Sequence, residues 1–429
     1  MQGDSRSLRR SGIVALGVAL AACASQGAKL DPNGGASGAS GSAGASGGGG
    51  VAMGGGGMAG ALAVGGVGGV SGAPSAGSTG VENGGAAGTP GGGTSGGGAS
   101  NGGAATGGAG GAVGVAGMFG VYDPADPPKS LELKNAPRTH DPVVIQSGST
   151  YYLFHTGRLI PVKRSTDELK TWQNAGSVFT SNPPWIAEQV DSAGKTVTDL
   201  WAPDISFFGG SFHLYYSAST FGSNRSCIGH ATRASLETGS WSDQGPVICS
   251  NVTTGNEPWN AIDPNVVLDA SGTPWLAFGS FWDGLKLIRL NASGARDGAE
   301  LLALATRSVN SRSIEAPFIV RRGAYYYLFA SFDFCCRGAD STYRTMVGRS
   351  AEVQGPYVDK AGVAMLQGGG SLVLEGNSVW RGPGHNAVLV RGAEAFNVYH
   401  AYAASGGAFE LRIAELVWDA EGWPISAGP

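Results

Sequence analysis

The sequence predicts an all-β fold, a five-bladed β-propeller, preceded by a signal peptide and a disordered Gly/Ala/Ser-rich linker. Three observations predict it. After about residue 120 helical periodicity is scarce, and short aromatic and β-branched runs alternate with Gly, Asn, Asp and Ser. Five such runs look alike and recur roughly every 50–70 residues: Tyr151–Phe154, Phe212–Tyr216, Pro274–Phe278, Tyr326–Phe329 and Val398–Tyr402. About ten to thirteen residues before each stands a short strand with a polar or aromatic member, the offset expected between the first two strands of a blade.

The chain divides by composition. Residues 1–22 read as a signal peptide. Arg6, Arg9 and Arg10 form a basic start, and Ile13–Ala22 is an apolar run too short to span a bilayer as a mature helix. Leu20-Ala21-Ala22-Cys23 resembles a bacterial lipobox, in which Cys23 is lipidated and becomes the mature N-terminus; the plainer alternative is an ordinary signal peptide with an incidental Cys. Arg9-Arg10 matches a twin-arginine signal poorly, because Ser-Gly-Ile follows it. Residues 23–118 carry almost no charge and hold roughly half of the 75 Gly, so they cannot bury enough apolar area to offset their ordering entropy. About 85 flexible residues span roughly 50 Å, a tether long enough to hold a domain clear of a membrane. The expected address is the cell surface or outer membrane by a lipid anchor, otherwise extracellular. The chain is read as a monomer that meets the membrane only through that anchor.

Residues 119–429 hold nearly all the Trp, Tyr and Phe and suit one closed all-β domain. The net charge of −4 and the lack of a basic block argue against nucleic acid as a partner. Cys227 and Cys249 fall in two apolar runs of one repeat, as a disulfide pair would in an oxidising compartment. For the adjacent Cys335 and Cys336 the reading is buried thiols at a strand end rather than a vicinal disulfide. Neither pair has zinc-site spacing.

The strands ahead of the aromatic runs are His140-Asp141-Pro142-Val143-Val144, Trp201-Ala202-Pro203-Asp204-Ile205, Ile262-Asp263-Pro264-Asn265-Val266, Ile314-Glu315-Ala316-Pro317-Phe318 and Gly384-His385-Asn386-Ala387-Val388. Innermost strands line the channel, so Asp141, Trp201, Asp263, Glu315 and His385 are expected to converge on one pocket. Pro suits a strand with a free edge. Asp-Pro is also a common turn dipeptide, but its repetition at matching offsets favours a shared site. Carboxylates beside an aromatic platform point to acid–base chemistry on a sugar: one carboxyl protonates the leaving oxygen while another stays ionised. Mutual repulsion raises the pKa of one of them.

Ordered motifs across residues 136–429 resemble glycoside hydrolase family 43, and within it the endo-α-1,5-L-arabinanases. They include Leu200-Trp201-Ala202-Pro203-Asp204, Asn260-Ala261-Ile262-Asp263-Pro264, Phe278-Gly279-Ser280-Phe281-Trp282, Ile314-Glu315-Ala316-Pro317, Ser331-Phe332-Asp333-Phe334-Cys335-Cys336-Arg337-Gly338 and Gly382-Pro383-Gly384-His385. The resemblance implies hydrolysis of arabinan, a pectic side-chain polysaccharide, with inversion. Asp141 would be the general base, Glu315 the general acid, and Asp263 the group that tunes and orients Glu315. Trp201 and Phe221 would stack on or wall the sugar, and Asn260 and Ser280 would bond its hydroxyls. His385 would bind an ion, calcium first, through or beside water; no organic cofactor is implied. Core packing is the plain alternative for Trp201, Phe221 and His385. Asp204 is expected to hold neighbouring structure and is left out of the catalytic set. His230 departs from the family pattern, and the loops 182–195 and 251–258 are of a size to reshape the cleft. An exo-acting arabinofuranosidase, a β-xylosidase and a non-catalytic carbohydrate-binding propeller are the alternatives. The first two often carry a β-sandwich after the propeller, for which the stretch after Trp423-Pro424 leaves no room, and the third predicts a missing carboxylate.

Overall fold

Each of the five aromatic runs forms the second strand of a four-stranded antiparallel sheet, and each polar strand before it leads into the first. The structure is a computed structural model that describes residues 120–135, 137–253 and 255–429. The expected signal peptide, Cys23 and the expected linker through residue 118 lie outside the described residues.

Blade 1 comprises β1 (Val143–Ser147), β2 (Thr150–Phe154), β3 (Pro161–Ser165) and β4 (Gln173–Ser177). Blade 2 holds β5 (Trp201–Phe208), β6 (Ser211–Ala218), β7 (Ser226–Arg233) and β8 (Ser242–Ser250). Blade 3 holds β9 (Asn265–Leu268), β10 (Pro274–Phe278), β11 (Leu285–Arg289) and β12 (Leu302–Ala305), and blade 4 holds β13 (Ile314–Arg322), β14 (Tyr325–Phe332), β15 (Arg344–Ser350) and β16 (Ser371–Leu374). Blade 5 holds β17 (Trp380–Arg391), β18 (Glu394–Ala403), β19 (Phe409–Trp418) and β20 (Pro424–Ser426). Strand order within every sheet is chain order. The inner strands β1, β5, β9, β13 and β17 touch in cyclic order, with β17 returning to β1, which closes the ring.

Burial falls from the axis outward. All four residues of β9 are buried, whereas all five of β4 are exposed. Inner strands have neighbours on both faces, so their sequences read as near-continuous apolar runs. The core lies between blades. Phe208, Tyr215 and Ile228 pack on Val266, Leu276 and Phe278 across blades 2 and 3. Leu389 and Val398 pack on Val144 and Leu153 across blades 5 and 1. The segment before blade 1 runs along blade 5: Tyr122 N–H donates to the Trp418 carbonyl at 2.8 Å and Leu131 N–H to that of Ile413 at 2.8 Å.

The cysteine readings divide. Cys227 and Cys249 are direct cross-strand partners on β7 and β8 and are disulfide-bonded. Cys335 and Cys336 are also bonded to each other, which corrects the expectation of free thiols. They occupy a half-buried loop after β14 rather than a packed strand end, so no core packing holds the two sulfurs apart. The loop 182–195 contains the helix α1 (Pro184–Gln189). Arg225 ties it to the 251–258 loop, donating to the carbonyls of Gln189, Val190, Asn251 and Val252. His230 is buried against His213 (Nε2 to Nδ1, 3.0 Å).

Candidate active site

A backbone feature repeats where each blade meets the channel. Asp141, Ala202, Asp263, Ala316 and His385 all have a left-handed conformation, with φ of 51°, 38°, 58°, 54° and 49°. Asp tolerates this region better than Ala, for which it costs about 1 kcal/mol. In blades 2, 4 and 5 the pairing register slips at this point, between Trp201 and Asp204, between Glu315 and Phe318, and on both sides of Gly384. The inner strands of these three blades therefore start in a bulge, which re-aims side chains. This corrects the expected equivalence of the five polar residues. Asp141, Asp263 and His385 stand at the left-handed position. Trp201 and Glu315 come one residue earlier, where His140, Ile262 and Gly384 stand in the other blades.

Both positions meet at one centre. His385 Nδ1 lies 3.1 Å from Asp141 Oδ1. The His385 N–H donates to Ser331 Oγ at 2.8 Å, and Ser331 is the strand partner of Glu315. The Ala316 N–H, next to Glu315, donates to Asp263 Oδ2 at 3.1 Å. Asp141, Asp263 and Glu315 are all buried, at 8%, 6% and 8% exposure.

The two outer carboxylates have opposite surroundings. His140 Nδ1 lies 2.9 Å from Asp141 Oδ1, and Thr156 Oγ1 donates to its Oδ2 at 2.5 Å. Burial alone would raise the Asp141 pKa, but His140 and His385 outweigh it and hold the carboxyl well below its usual range. Glu315 has no such cation in contact. Ser280 Oγ donates to Oε2 at 2.6 Å and the Tyr343 hydroxyl donates to Oε1. Burial pushes Glu315 up, and the two hydroxyls and His385 only partly reverse it. Burial, with the charges of Glu315 and Asp141, pushes Asp263 up to about 8 against the pull of His385. His385 itself rises to about 9: burial opposes its charge, and Asp141 and then Asp263 and Glu315 favour it. At neutral pH the centre holds an ionised Asp141 against an imidazolium and keeps a proton on the Glu315–Asp263 side.

The other expected residues fall around this centre. Trp201, half-buried, meets Phe221, 39% exposed, at 6.4 Å between ring centroids and 69°. The Ala202 N–H, beside Trp201, donates to Thr156 Oγ1 at 2.7 Å, which links the aromatic wall to Asp141. Ser280 is committed to Glu315. Asn260 is 2% exposed and accepts from Ser226 Oγ at 2.7 Å. Asp204 reaches into blade 3 and accepts from the Val266 N–H at 2.8 Å and from Asn265 Nδ2 at 3.2 Å, the holding role expected of it. Burial pushes it up to about 7.

Sequence reasoning missed Thr156, His400, Ser217 and Tyr343. His400 Nδ1 accepts the Asp141 N–H at 3.2 Å, and Ser217 Oγ accepts the Asp263 N–H at 3.0 Å. His400 and Ser217 sit near the ends of second strands, so a search at the offset of the first strands could have found them. Tyr343 lies in a loop and carries no such signal. Beside it, a cavity of about 630 Å3 is lined by Phe334, Arg337, Tyr343, Arg344 and Arg381 among others, and touches the carboxylate centre through Tyr343.

His140, Asp141 and His400 bring ligand atoms within 4.8 Å of one another, a grouping able to hold a metal ion. His385 stands outside that trio and faces it across Asp141. The donors are mostly imidazole nitrogens with one carboxylate, whereas calcium takes six to eight oxygens. They fit calcium only within a shell completed by water.

The description Glycosyl hydrolases family 43 belongs to the family model that matches residues 136–424. An extracellular exo-α-(1→5)-L-arabinofuranosidase of Cellvibrio japonicus is 44% identical over 301 residues, 66% of this chain and 85% of the relative. An extracellular endo-α-(1→5)-L-arabinanase of Bacillus subtilis is 43% identical over 295 residues, 66% of this chain and 86% of the relative. Among solved structures, the α-L-arabinanase of Cellvibrio cellulosa complexed with arabinohexaose superposes with a TM-score of 0.64 at 42% identity, covering 68% of this chain and 96% of that one.

Proposed function

We infer the reaction from one premise: this chain belongs to glycosyl hydrolase family 43. It is a glycosidase that cleaves the α-1,5-L-arabinofuranosidic bonds of arabinan, and our reading is that it cuts internal bonds with inversion. The observation that carries the assignment of roles is the opposite setting of two carboxyls in one buried centre. Asp141, kept ionised by His140 and His385, is the base that takes a proton from water as that water attacks the anomeric carbon. Glu315, raised by burial, is the acid that gives its proton to the departing glycosidic oxygen as the bond to it breaks. Asp263 orients Glu315 through the Ala316 N–H and, itself raised to about 8, shares in holding a proton on that side of the centre. Trp201 and Phe221 offer the sugar an apolar wall, and Asn260 and Ser280 the polar groups behind it.

An ion at this centre would be held by His140, Asp141 and His400, or by His385 through water. Bound there, it would supply positive charge that keeps Asp141 ionised. Residues 119–429 are the catalytic unit of this reading. Residues 1–22 are its export signal and 23–118 its tether, with Cys23 lipidated. The lipobox-like Leu20-Ala21-Ala22-Cys23 is the ground for the anchor, and relatives named extracellular support export alone. Cys23→Ser is expected to release the protein from membranes, and unchanged fractionation overturns the anchor.

Product analysis tests the reading. Linear arabinan is expected to yield mixed oligosaccharides, with little release from xylan or an aryl arabinofuranoside. Early products of a single length would replace the internal mode with an exo mode, the activity named for the Cellvibrio japonicus relative. NMR of the first-formed anomer checks inversion; net retention removes the water-activating role of Asp141.

A further inference from the structure

Glu315 is held at both carboxyl oxygens, by residues 35 and 28 positions away along the chain. Ser280 reaches Oε2 from the blade 3 side, and Tyr343, just before β15, reaches Oε1. Tyr343 is itself fixed on several sides. It is 2% exposed, its N–H donates to the Phe334 carbonyl at 3.1 Å, and its ring lies parallel to His400 at 6.2 Å. Its ring also fills the space beside Gly384, where a Cβ would collide with Tyr343 Cδ2. Unlike many glycines of the chain, Gly384 does not have a left-handed φ. Its missing side chain is a matter of room for the tyrosine.

We propose that Tyr343 is a positioning residue for the acid, one that aims Glu315 and steadies the charge left on it, and that Gly384 makes the space this requires. The proposal rests on the assignment of Glu315 as the acid. As the glycosidic bond breaks, the Glu315 proton passes to the leaving oxygen and the carboxyl becomes a carboxylate. A phenol that donates to that carboxylate binds it more strongly than it binds the neutral acid, so the bond strengthens as the proton leaves. The same bond favours the ionised form beforehand, which makes Glu315 a stronger acid. The other groups acting on Glu315 are Ser280, His385 and the carboxylates Asp263 and Asp141. They remain in place when the phenol is removed.

Two signatures separate this role from a structural one. A leaving group that departs without a proton has no need of a well-aimed acid. Loss of a donor to the carboxylate also moves the alkaline limb of the kcat/KM profile, which reports loss of the acid's proton, to higher pH even as the rate falls. The test compares Tyr343→Phe and Gly384→Ala on linear arabinan and on an arabino-oligosaccharide carrying a nitrophenol at the cleaved bond. Thermal melts check folding. We expect kcat on arabinan to fall roughly 10–10²-fold in both variants, the scale of a misplaced catalytic group. Loss on the nitrophenyl substrate should be only a few-fold, KM nearly unchanged, and the alkaline limb should rise in Tyr343→Phe. Equal losses on both substrates, or an unmoved limb, overturn the proposal. Glu315→Gln run beside them keeps the two assignments apart. If it retains arabinan hydrolysis, the acid itself is misassigned. If it loses arabinan and spares the nitrophenyl substrate while the Tyr343 and Gly384 variants do not, only the role of Tyr343 falls.

Discussion

The starts of blades 1 and 4 share a left-handed residue followed by proline, yet they give their carboxyls opposite surroundings. In blade 1 the acid residue is the left-handed residue itself, Asp141, and it faces two histidine rings and a threonine. In blade 4 the left-handed residue is Ala316, and the acid stands one position earlier, between a serine and a tyrosine. Both carboxyls are about equally buried, so burial does not distinguish them. Their partners do. The histidines in contact hold the Asp141 carboxyl low against its burial, whereas the hydroxyls on Glu315 only partly reverse the rise that burial causes. A repeated backbone device thus supplies the positions, and the side chains around each position decide base or acid.

Breaking either side should cost the most. Asp141→Asn and Glu315→Gln are each expected to lower kcat on arabinan by at least about 10²-fold; near-normal turnover in either variant would sink its assignment. His385→Gln should come next, with a roughly 10-fold loss in kcat. Without the imidazolium, Asp141 protonates at higher pH, so the acidic limb of the rate profile should move up.

The same pair gives a stability test with a definite sign. The Asp141 pKa is depressed in the fold, so its contribution is present above about 3.9, the unfolded value, and is lost as pH falls through the folded one. The His385 pKa is raised to about 9, so its contribution is full below about 6.5 and is lost as pH rises through 9. The melting temperature should therefore drop between pH 6.5 and 9.5 in the parent, and drop less in His385→Gln. An equal drop in both would remove His385 from the account.

Smaller effects sharpen the contrast between carboxyls that react and groups that support them. Phe221→Ala should raise KM about fivefold, from the loss of roughly 1 kcal/mol of aromatic contact, with the melting temperature unmoved. Asp204→Ala should do the reverse. It leaves the Val266 N–H without its acceptor, which costs about 1–3 kcal/mol. That is a fall of roughly 2–4 °C in Tm per kcal/mol, with kcat unchanged. A large kcat loss would place Asp204 among the reacting groups.

The sequence made the inner and second strands legible because burial on both faces leaves aromatic and apolar runs that recur with the blade. Outer strands such as β4, Gln-Asn-Ala-Gly-Ser, carry no such pattern, since every residue is exposed. The carboxyls were legible for the same reason as the strands that hold them. The one-residue offset between Asp141 and Glu315 was not, because a bulge changes pairing without changing composition. Tyr343 was hidden for a different reason: its partner lies 28 residues away, across a hairpin and a loop, and only the tertiary fold joins them. The Cys335–Cys336 bond depended on a loop conformation that an adjacent pair of letters does not specify.

The segment along blade 5 that precedes blade 1 has a mechanical consequence. Tyr122 and Leu131 are bonded to Trp418 and Ile413 on β19, the third strand of blade 5, before the chain turns in to β1. A pull arriving from upstream of residue 120 is therefore borne first by the outer part of the last blade. The Asp141 loop is loaded only after those bonds shear, so such a pull reaches the rim of the wheel before its hub.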